Sequence, residues 1–209
     1  DTQAIYDRLD TGLISGVTTN PTLIFKSGKH PQQVYKELID KGVENVSMEI
    51  TADNRKDFFS RAVGHAKQYG EAATIKLPCS EDGLWACKQL SKINIRTNVT
   101  LVFSVSQAIL AALAGATYIS PFVGRMDDNS LSGLSLISDI SKVYKKQFIN
   151  TMILAASIRD VQSVGTAFQL GADICTIPPK VFDSMYEHVL TDKGLAQFNE
   201  DANSTTTSK

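Results

Sequence analysis

The sequence predicts an α/β fold in which a single chain forms a (β/α)8 barrel of the TIM type. Two observations predict it. Short strand-like and helix-like segments alternate along the whole chain, and the units are evenly spaced with no linker or composition shift between them. The 209 residues are 43% hydrophobic, which is enough for one core in a small barrel. We expect one domain over residues 1–201 and a disordered polar tail over 202–209. An open doubly wound sheet is the alternative.

Seven segments have the composition of strands. A barrel of this class needs eight strands, so we expect the first strand to be truncated, with Asp1 and Thr2 as its end. The seven predicted strands are Gly16–Thr19, Asn45–Glu49, Ala73–Leu77, Arg96–Leu101, Tyr118–Phe122, Thr151–Ala155 and Asp173–Ile177.

Helical patterns lie between these strands. Asp53, Ser80 and Ser104 are good residues to cap helix starts, and several helices close on glycine, at Gly42, Gly70, Gly115 and Gly171. The predicted helices are Pro31–Lys41, Asp53–Tyr69, Glu81–Lys92, Ser104–Ala114, Ser130–Lys146, Asp160–Leu170, Pro179–Tyr186 and roughly Thr191–Glu200.

The composition argues against several classes of binding partner. Lysine and arginine total 21 against 22 acidic residues, so nothing in the charge balance favours nucleic acid or a membrane surface as a partner. No apolar run approaches the roughly 20 residues that span a bilayer. The three cysteines form no paired motif and the three histidines lack neighbouring ligands. We therefore expect reduced thiols, a cytoplasmic protein and no metal site.

Lys76 lies in the apolar segment ATIKLP, which has the pattern of a strand buried on both faces. Burial disfavours the ammonium form and favours a nucleophilic amine. A desolvated lysine on a rigid strand is the main requirement for forming a Schiff base with a carbonyl substrate. The alternative is a side chain that reaches the rim of the barrel and keeps its charge in water.

Polar side chains spaced by two occur near the ends of four predicted strands. That spacing puts each pair on one face of its strand, and active sites of barrels lie at the carboxyl ends of the strands. The pairs therefore predict one pocket that contains a lysine and a carboxylate. A single Thr or Ser more often only favours a strand, and Asn20 before Pro21 also fits a simple helix start. The pairs are Thr18 and Asn20, Ser47 and Glu49, Thr74 and Lys76, and Asn98 and Thr100.

Two arginines follow neighbouring strands. Arg125 ends SPFVGR, Arg159 ends AASIR, and Ser157 lies beside the second arginine. Guanidinium groups on adjacent strand-to-helix loops can bind a phosphate bidentately. Two solvent-exposed arginines without a ligand are the alternative. The chain has no glycine-rich phosphate motif, so nucleotide binding is unsupported.

Five segments, in order and with fitting spacing, resemble the transaldolase family, and within it the short subgroup that includes fructose-6-phosphate aldolase. The similarity runs from Asp1 to about Asp201. The segments are GVTTNPTLI at Gly16–Ile24, TIKLP at Thr74–Pro78, TNVTLVFSVSQA at Thr97–Ala108, SPFVGRMDD at Ser120–Asp128 and AASIR at Ala155–Arg159.

The resemblance implies class I aldol chemistry with no metal and no organic cofactor. Lys76 matches the family's Schiff-base lysine, and Asp1 matches its acid/base carboxylate. Glu49 and Thr100 match a pair that holds a water for proton transfer.

The resemblance also implies sugar-phosphate substrates. A dihydroxyacetone unit would pass from sedoheptulose 7-phosphate or fructose 6-phosphate to erythrose 4-phosphate or glyceraldehyde 3-phosphate. The residues matched to substrate binding are Thr18, Asn20, Asn98 and Ser120 near the three-carbon unit, Phe122 beside it, and Arg125, Ser157 and Arg159 at the phosphate.

Two positions separate transfer from simple aldol cleavage. Fructose-6-phosphate aldolases resemble one another in having a tyrosine where this chain has Phe122 and a glutamine where it has Glu49. Both positions favour a transaldolase, with release of free dihydroxyacetone as the alternative. Another Schiff-base aldolase and a non-enzymatic barrel remain as competing classes. The resemblance further implies a homo-oligomer, a pentamer or decamer, in which the C-terminal helix contacts a neighbouring subunit.

Overall fold

The computed structural model describes residues 2–206, in which seven parallel strands form one sheet with strand order β1-β2-β3-β4-β5-β6-β7. Each strand lies within a segment predicted from the sequence or extends one residue past it. The strands are β1 (Val17–Thr18), β2 (Val46–Glu49), β3 (Ala73–Pro78), β4 (Thr97–Val102), β5 (Tyr118–Pro121), β6 (Met152–Ala155) and β7 (Ile174–Cys175).

The strand order distinguishes the barrel from the alternative fold. Every strand pairs in parallel with the next strand in sequence, so the order never reverses as a doubly wound sheet requires. The sheet curls far enough for its first and last strands to meet through side chains. The hydroxyls of Thr18 on β1 and Thr176 just after β7 lie 2.6 Å apart. The prediction of a TIM-type barrel is confirmed.

Helices surround the sheet, and most of the predicted helices begin and end within three residues of the predicted positions. Thr2–Leu9, Pro21–Ser27 and Val123–Asp127 form helices that were not predicted. Ser80 and Ser104 cap their helices, accepting from the backbone N–H of Gly83 and Gln107 respectively. The helices are α1 (Thr2–Leu9), α2 (Pro21–Ser27), α3 (Pro31–Asp40), α4 (Arg55–Tyr69), α5 (Glu81–Ser91), α6 (Val105–Leu113), α7 (Val123–Asp127), α8 (Gly133–Lys146), α9 (Val161–Gln169), α10 (Pro179–Ser184) and α11 (Val189–Thr206).

The N-terminal segment differs from the expectation of a strand end. Thr2 begins helix α1, and Asp1 lies outside the described residues. The helix forms because Ile5, Tyr6 and Leu9 lie on one face and pack against the core.

Two further predictions about helices were wrong in detail. The helix predicted from Ser130 begins three residues later, as α8 at Gly133, because Ser130 adopts a left-handed conformation with φ of 59°. Asn54 rather than Asp53 caps α4, since its side chain accepts from two backbone N–H groups.

The polar C-terminal segment is more ordered than predicted. Helix α11 continues to Thr206, so residues 202–206, expected to be disordered, are helical. Contacts four residues apart support this last part of the helix. Gln197 Nε2 donates to Asp201 Oδ1 at 3.1 Å, and Ser204 Oγ donates to the carbonyl of Glu200 at 2.9 Å. Residues 207–209 lie outside the described part of the chain.

The two faces of the strands differ in polarity. Alternate residues such as Ile75 and Leu77 face the helices and join a core with Leu38, Leu90 and Ile137. The opposite face points into the barrel, whose interior is usually filled by branched apolar side chains. Here it carries buried polar residues instead, namely Ser47, Thr74, Lys76, Asn98, Thr100 and Ser120.

Close packing between α7 and α8 provides a test of the fold. A Cβ added at buried Gly133 would lie 2.4 Å from the Cα of Val123, so we expect Gly133→Ala to lower the free energy of unfolding by about 1–3 kcal/mol. Exposed Gly165 within α9 has open space around it, so Gly165→Ala should raise that free energy by about 0.5–1 kcal/mol. Urea denaturation measures both variants. Equal effects would contradict the packing described.

Candidate active site

Lys76 lies on β3 with its amine inside the barrel. The residue is 6% exposed, and its Nζ donates to Glu49 Oε2 at 2.9 Å and to the carbonyl of Thr19 at 3.1 Å. The strand register brings the carboxylate there, since Glu49 on β2 is the direct partner of Lys76. The side chain is therefore buried, as predicted, and does not extend to the rim.

The surroundings of this amine are more polar than the apolar segment ATIKLP indicates. The contact between Lys76 and Glu49 is an ion pair in which both side chains are largely buried. A buried charge is tolerated when a counter-charge and further hydrogen bonds compensate for lost water, and here Glu49 and the Thr19 carbonyl do so. A proton must leave the amine before it can attack a carbonyl. Glu49 is the base within hydrogen-bonding distance of that proton.

Thr19 was not among the predicted site residues, although it positions the amine through its carbonyl. Its backbone N–H and its hydroxyl both donate to the carbonyl of Ser47, at 3.1 and 2.8 Å. These two bonds fix the peptide whose oxygen accepts from Lys76. Thr19 also contacts Tyr35. Burial raises the pKa of the Tyr35 hydroxyl, and a hydrogen bond with Thr19 partly offsets that increase.

Asn98 is fixed beside the lysine by two serines. It pairs in register with Lys76 and is fully buried. Its Nδ2 donates to Ser47 Oγ at 3.4 Å, and Ser120 Oγ donates to its Oδ1 at 2.8 Å. The structure thus brings predicted residues Asn98 and Ser120 together. Ser47 appeared in a polar pair of the sequence but was not assigned to the site.

Thr100 is fully buried, and its hydroxyl has no hydrogen-bond partner within residues 2–206. Burying an unpaired hydroxyl costs stability, so such groups are rare without a functional reason. The next residue, Leu101, adopts a left-handed conformation with φ of 60°, where the register between β4 and β5 shifts. Strained bulges of this kind concentrate near active sites. A leucine gives no sequence signal for such a bulge.

Thr18 and Asn20 lie at the end of β1. Thr18 contacts Thr176, a residue that the sequence analysis missed although it follows the last strand by one position. Asn20 Oδ1 accepts from the backbone N–H of Leu23 at 2.8 Å and caps α2. The helix-start alternative for Asn20 is therefore confirmed for its side-chain oxygen.

The loops that carry the two arginines are in direct contact. The backbone N–H groups of Val123 and Gly124 donate to the carbonyls of Ala156 and Ser157, at 2.9 and 3.2 Å. A Cβ at Gly124 would lie 2.3 Å from the backbone carbonyl oxygen of Ser157, so only glycine allows this approach. The predicted grouping of Arg125, Ser157 and Arg159 thus has a rigid backbone frame.

The two arginines have different partners. The guanidinium of Arg125 lies over the ring of Phe122, 4.8 Å from its centroid, and Phe122 makes an edge contact with Phe103. Both terminal nitrogens of Arg159 donate to the two carboxylate oxygens of Asp128. The hydrogen bond from Arg159 lowers the pKa of the Asp128 carboxyl. Asp128 was not predicted as a site residue.

Asp1, predicted as an acid/base group, lies outside the described residues, so its position is not part of this site geometry. Within residues 2–206, no cluster of His, Cys, Asp and Glu side chains has the arrangement of a metal site. In the same range, no helix combines the length and the apolar character needed to cross a bilayer.

Comparison with protein families gives a match over the whole chain. The model described as "Transaldolase/Fructose-6-phosphate aldolase" matches residues 1–209. A probable transaldolase of Paracoccus denitrificans is 48% identical over 201 residues, covering 96% of this chain and 92% of that protein. A probable transaldolase of Caulobacter vibrioides is also 48% identical, covering 98% of this chain and 94% of that protein.

Comparison with solved structures supports the architecture alone. A crystal structure of mandelate oxidase with benzoyl-formic acid aligns with a TM-score of 0.53 and 16% sequence identity. The alignment covers 69% of this chain and 52% of that one. At this identity the similarity concerns the fold and carries no information about the reaction.

The unpaired hydroxyl of Thr100 gives a stability test within one strand. Thr100→Val removes a buried group without a partner, so we expect the free energy of unfolding to rise by about 1 kcal/mol. Thr97 is equally buried, but its hydroxyl lies 3.3 Å from Cys87 Sγ. Thr97→Val should therefore lower that free energy by about 1 kcal/mol. Chemical denaturation compares the two, and destabilisation by Thr100→Val would indicate a partner for its hydroxyl.

Proposed function

The chain belongs to the transaldolase/fructose-6-phosphate aldolase family, and from that premise we propose that it is a transaldolase that works through a Schiff base on Lys76. It transfers a dihydroxyacetone unit from sedoheptulose 7-phosphate or fructose 6-phosphate to erythrose 4-phosphate or glyceraldehyde 3-phosphate. The observation that carries the proposal is the buried amine of Lys76, paired with Glu49 in a polar barrel interior.

The first step needs a free amine. Glu49 accepts a proton from Lys76, and Nζ then attacks the C2 carbonyl of the ketose. The carbinolamine loses its hydroxyl as water, which requires proton delivery to that oxygen. Glu49 and Thr100 hold the water that relays the proton. The unpaired hydroxyl of Thr100 supports this role, because a bound water would give it the partner that the protein does not.

The second step breaks a carbon–carbon bond. The iminium accepts the electron pair of the C3–C4 bond, while Asp1 accepts the proton of the C4 hydroxyl as that oxygen becomes the aldehyde of the departing aldose phosphate. The three-carbon enamine remains bound to Lys76. Its carbon attacks the aldehyde of an acceptor phosphate, Asp1 returns the proton to the new hydroxyl, and hydrolysis frees the lysine.

The bound unit is held by polar groups from three strands. Asn98 and Ser120 lie on the side of the barrel next to Lys76, and Thr18 and Asn20 lie at the end of β1. Their amide and hydroxyl groups suit the hydroxyls of a three-carbon sugar. Arg125, Ser157 and Arg159 bind the phosphate at the adjacent loops, where backbone contacts join the two loops.

Transfer rather than release is favoured by Phe122 and Glu49. A phenyl ring cannot orient a water beside the enamine as a phenol can, so the enamine survives until an acceptor arrives. The relatives named probable transaldolase are in line with this assignment. Fructose-6-phosphate aldolase activity, with release of free dihydroxyacetone, is the second candidate because the family description includes it.

We also propose a cytoplasmic homo-oligomer, a pentamer or decamer, in which α11 contacts a neighbouring subunit. Leu190, Leu195 and Phe198 of this helix are more than half exposed, and packing on another subunit would cover them. Cys79, Cys87 and Cys175 are free thiols, in line with a reducing compartment. Burial raises the pKa of Cys175 to about 11, which keeps that thiol unreactive.

Covalent trapping tests the Schiff base. Borohydride with fructose 6-phosphate should leave a reduced three-carbon adduct on Lys76, located by peptide mass spectrometry, because borohydride reduces the iminium. Lys76→Met should abolish the adduct. Lys88, whose amine donates to the carbonyl of Leu113 on the outside of the barrel, serves as the control, and Lys88→Met should retain it.

An adduct on Lys88 or another outer lysine would overturn the site assignment. Failure to trap any donor would favour a non-enzymatic barrel. Because trapping also succeeds for other Schiff-base aldolases, transfer to erythrose 4-phosphate is measured beside it, and adduct formation without transfer would exclude a transaldolase.

Phe122→Tyr tests the assignment of transfer over release. A phenol that orients a water at the enamine adds a hydrogen bond of about 1.4 kcal/mol, so the ratio of free dihydroxyacetone to transfer product should rise about tenfold. Phe103→Tyr is the matched control, because the Phe103 ring is partly exposed and makes an edge contact with the Phe122 ring. An unchanged ratio in Phe122→Tyr, or an equal rise in both variants, would count against the assignment.

A further inference from the structure

We propose that Asp128 is a specificity-determining residue. It pairs with Arg159 in the free enzyme, and only a doubly charged phosphate group displaces it. The inference rests on the proposed function, since it concerns how the same site selects phosphorylated sugars. Nothing in the sequence patterns or in the family comparison assigns a role to this carboxylate.

The contacts of Arg159 define the competition. Its two terminal nitrogens bind the two oxygens of Asp128, in the planar fork geometry that an arginine also uses toward phosphate. Asp128 follows helix α7 and lies three residues after Arg125, so one turn of chain carries both groups. A carboxylate and a phosphate cannot occupy the same two nitrogens together. Binding of phosphate through that edge therefore requires Asp128 to leave.

The backbone around Arg159 allows this exchange without movement of the loop. Gly124 packs against Ser157 and lies so close to Arg159 Nε that a Cβ there would be 2.9 Å away. Backbone hydrogen bonds join the two loops at Val123–Ala156 and Gly124–Ser157. With the frame fixed, rotation of the Asp128 side chain is sufficient to change the partner of Arg159.

The solvent exposure of this ion pair determines which anion Arg159 binds. The side chains of Arg159 and Asp128 are 56% and 48% exposed, so water screens their attraction and the pair is weak. A phosphate monoester that carries two charges interacts more strongly and also reaches Arg125, which forms no ion pair with the described part of the chain. A singly charged anion offers Arg159 no more than Asp128 already does. Only a dianion therefore displaces the Asp128 carboxylate from Arg159.

Calorimetric titration with inorganic phosphate at pH 8 tests the inference on the full chain. Asp128→Asn removes the competing charge, so the dissociation constant for phosphate should fall about fivefold. Nitrate, a single charge, should bind measurably to this variant and not to the unmodified protein. Asp139→Asn is the control, because it removes another exposed carboxylate, paired with Lys142 on α8, and it should leave both affinities within about twofold.

Weaker phosphate binding in Asp128→Asn would show that the carboxylate orients Arg159 and does not compete for it, and would overturn the inference. Unchanged affinity, or no phosphate binding to any variant, would overturn it as well. The borohydride adduct on Lys76 separates this result from the proposed function. If the adduct forms and Asp128→Asn leaves the phosphate affinity unchanged, only the inference about Asp128 is wrong. If the affinity changes fivefold and no adduct forms, only the Schiff-base mechanism is wrong.

Discussion

The ion pair between Lys76 and Glu49 is the interaction on which the rest of the barrel interior depends. A lysine inside a protein must find a counter-charge and hydrogen-bond acceptors to replace water, because an uncompensated buried charge is strongly destabilising. Glu49 supplies the charge and the Thr19 carbonyl supplies a second acceptor. The peptide of Thr19 is held in turn by the carbonyl of Ser47. One amine is therefore compensated by a carboxylate and a backbone carbonyl from the two neighbouring strand segments.

The same interior carries features that oppose stability. Thr100 buries a hydroxyl without a partner among the described residues, and Leu101 and Ser157 adopt left-handed conformations that only glycine takes without strain. Thr100 and Leu101 lie on β4, which pairs with the strand of Lys76, and Ser157 lies in the loop of Arg159, whereas the left-handed residues Asn94, Ser130 and Phe148 lie elsewhere. A core selected for stability alone would replace them by apolar side chains in regular strands. Their location is what a site shaped by its chemistry predicts.

The sequence predicted the elements whose signals are local. Alternation along β3 and β4 revealed Lys76, Asn98 and Thr100, and capping serines marked the starts of α5 and α6. What it missed depends on contacts between distant residues or on backbone conformation. Asp128 contacts Arg159 across two loops, and the start of α8 at Gly133 instead of Ser130 follows from the left-handed conformation at Ser130. No spacing pattern records either one. Asp1 remains a prediction, since it lies outside the described residues.

Two ion pairs of the site each join a basic and an acidic side chain, but they differ in burial. The pair between Lys76 and Glu49 lies inside the barrel, where separation of the charges is costly, so it can be resolved only by moving a proton. The pair between Arg159 and Asp128 is about half exposed, where water screens the charges and either partner can be exchanged. The first arrangement suits covalent chemistry on a carbonyl, and the second suits reversible recognition of an anion. The depth of each pair in the barrel thus fits the role proposed for it.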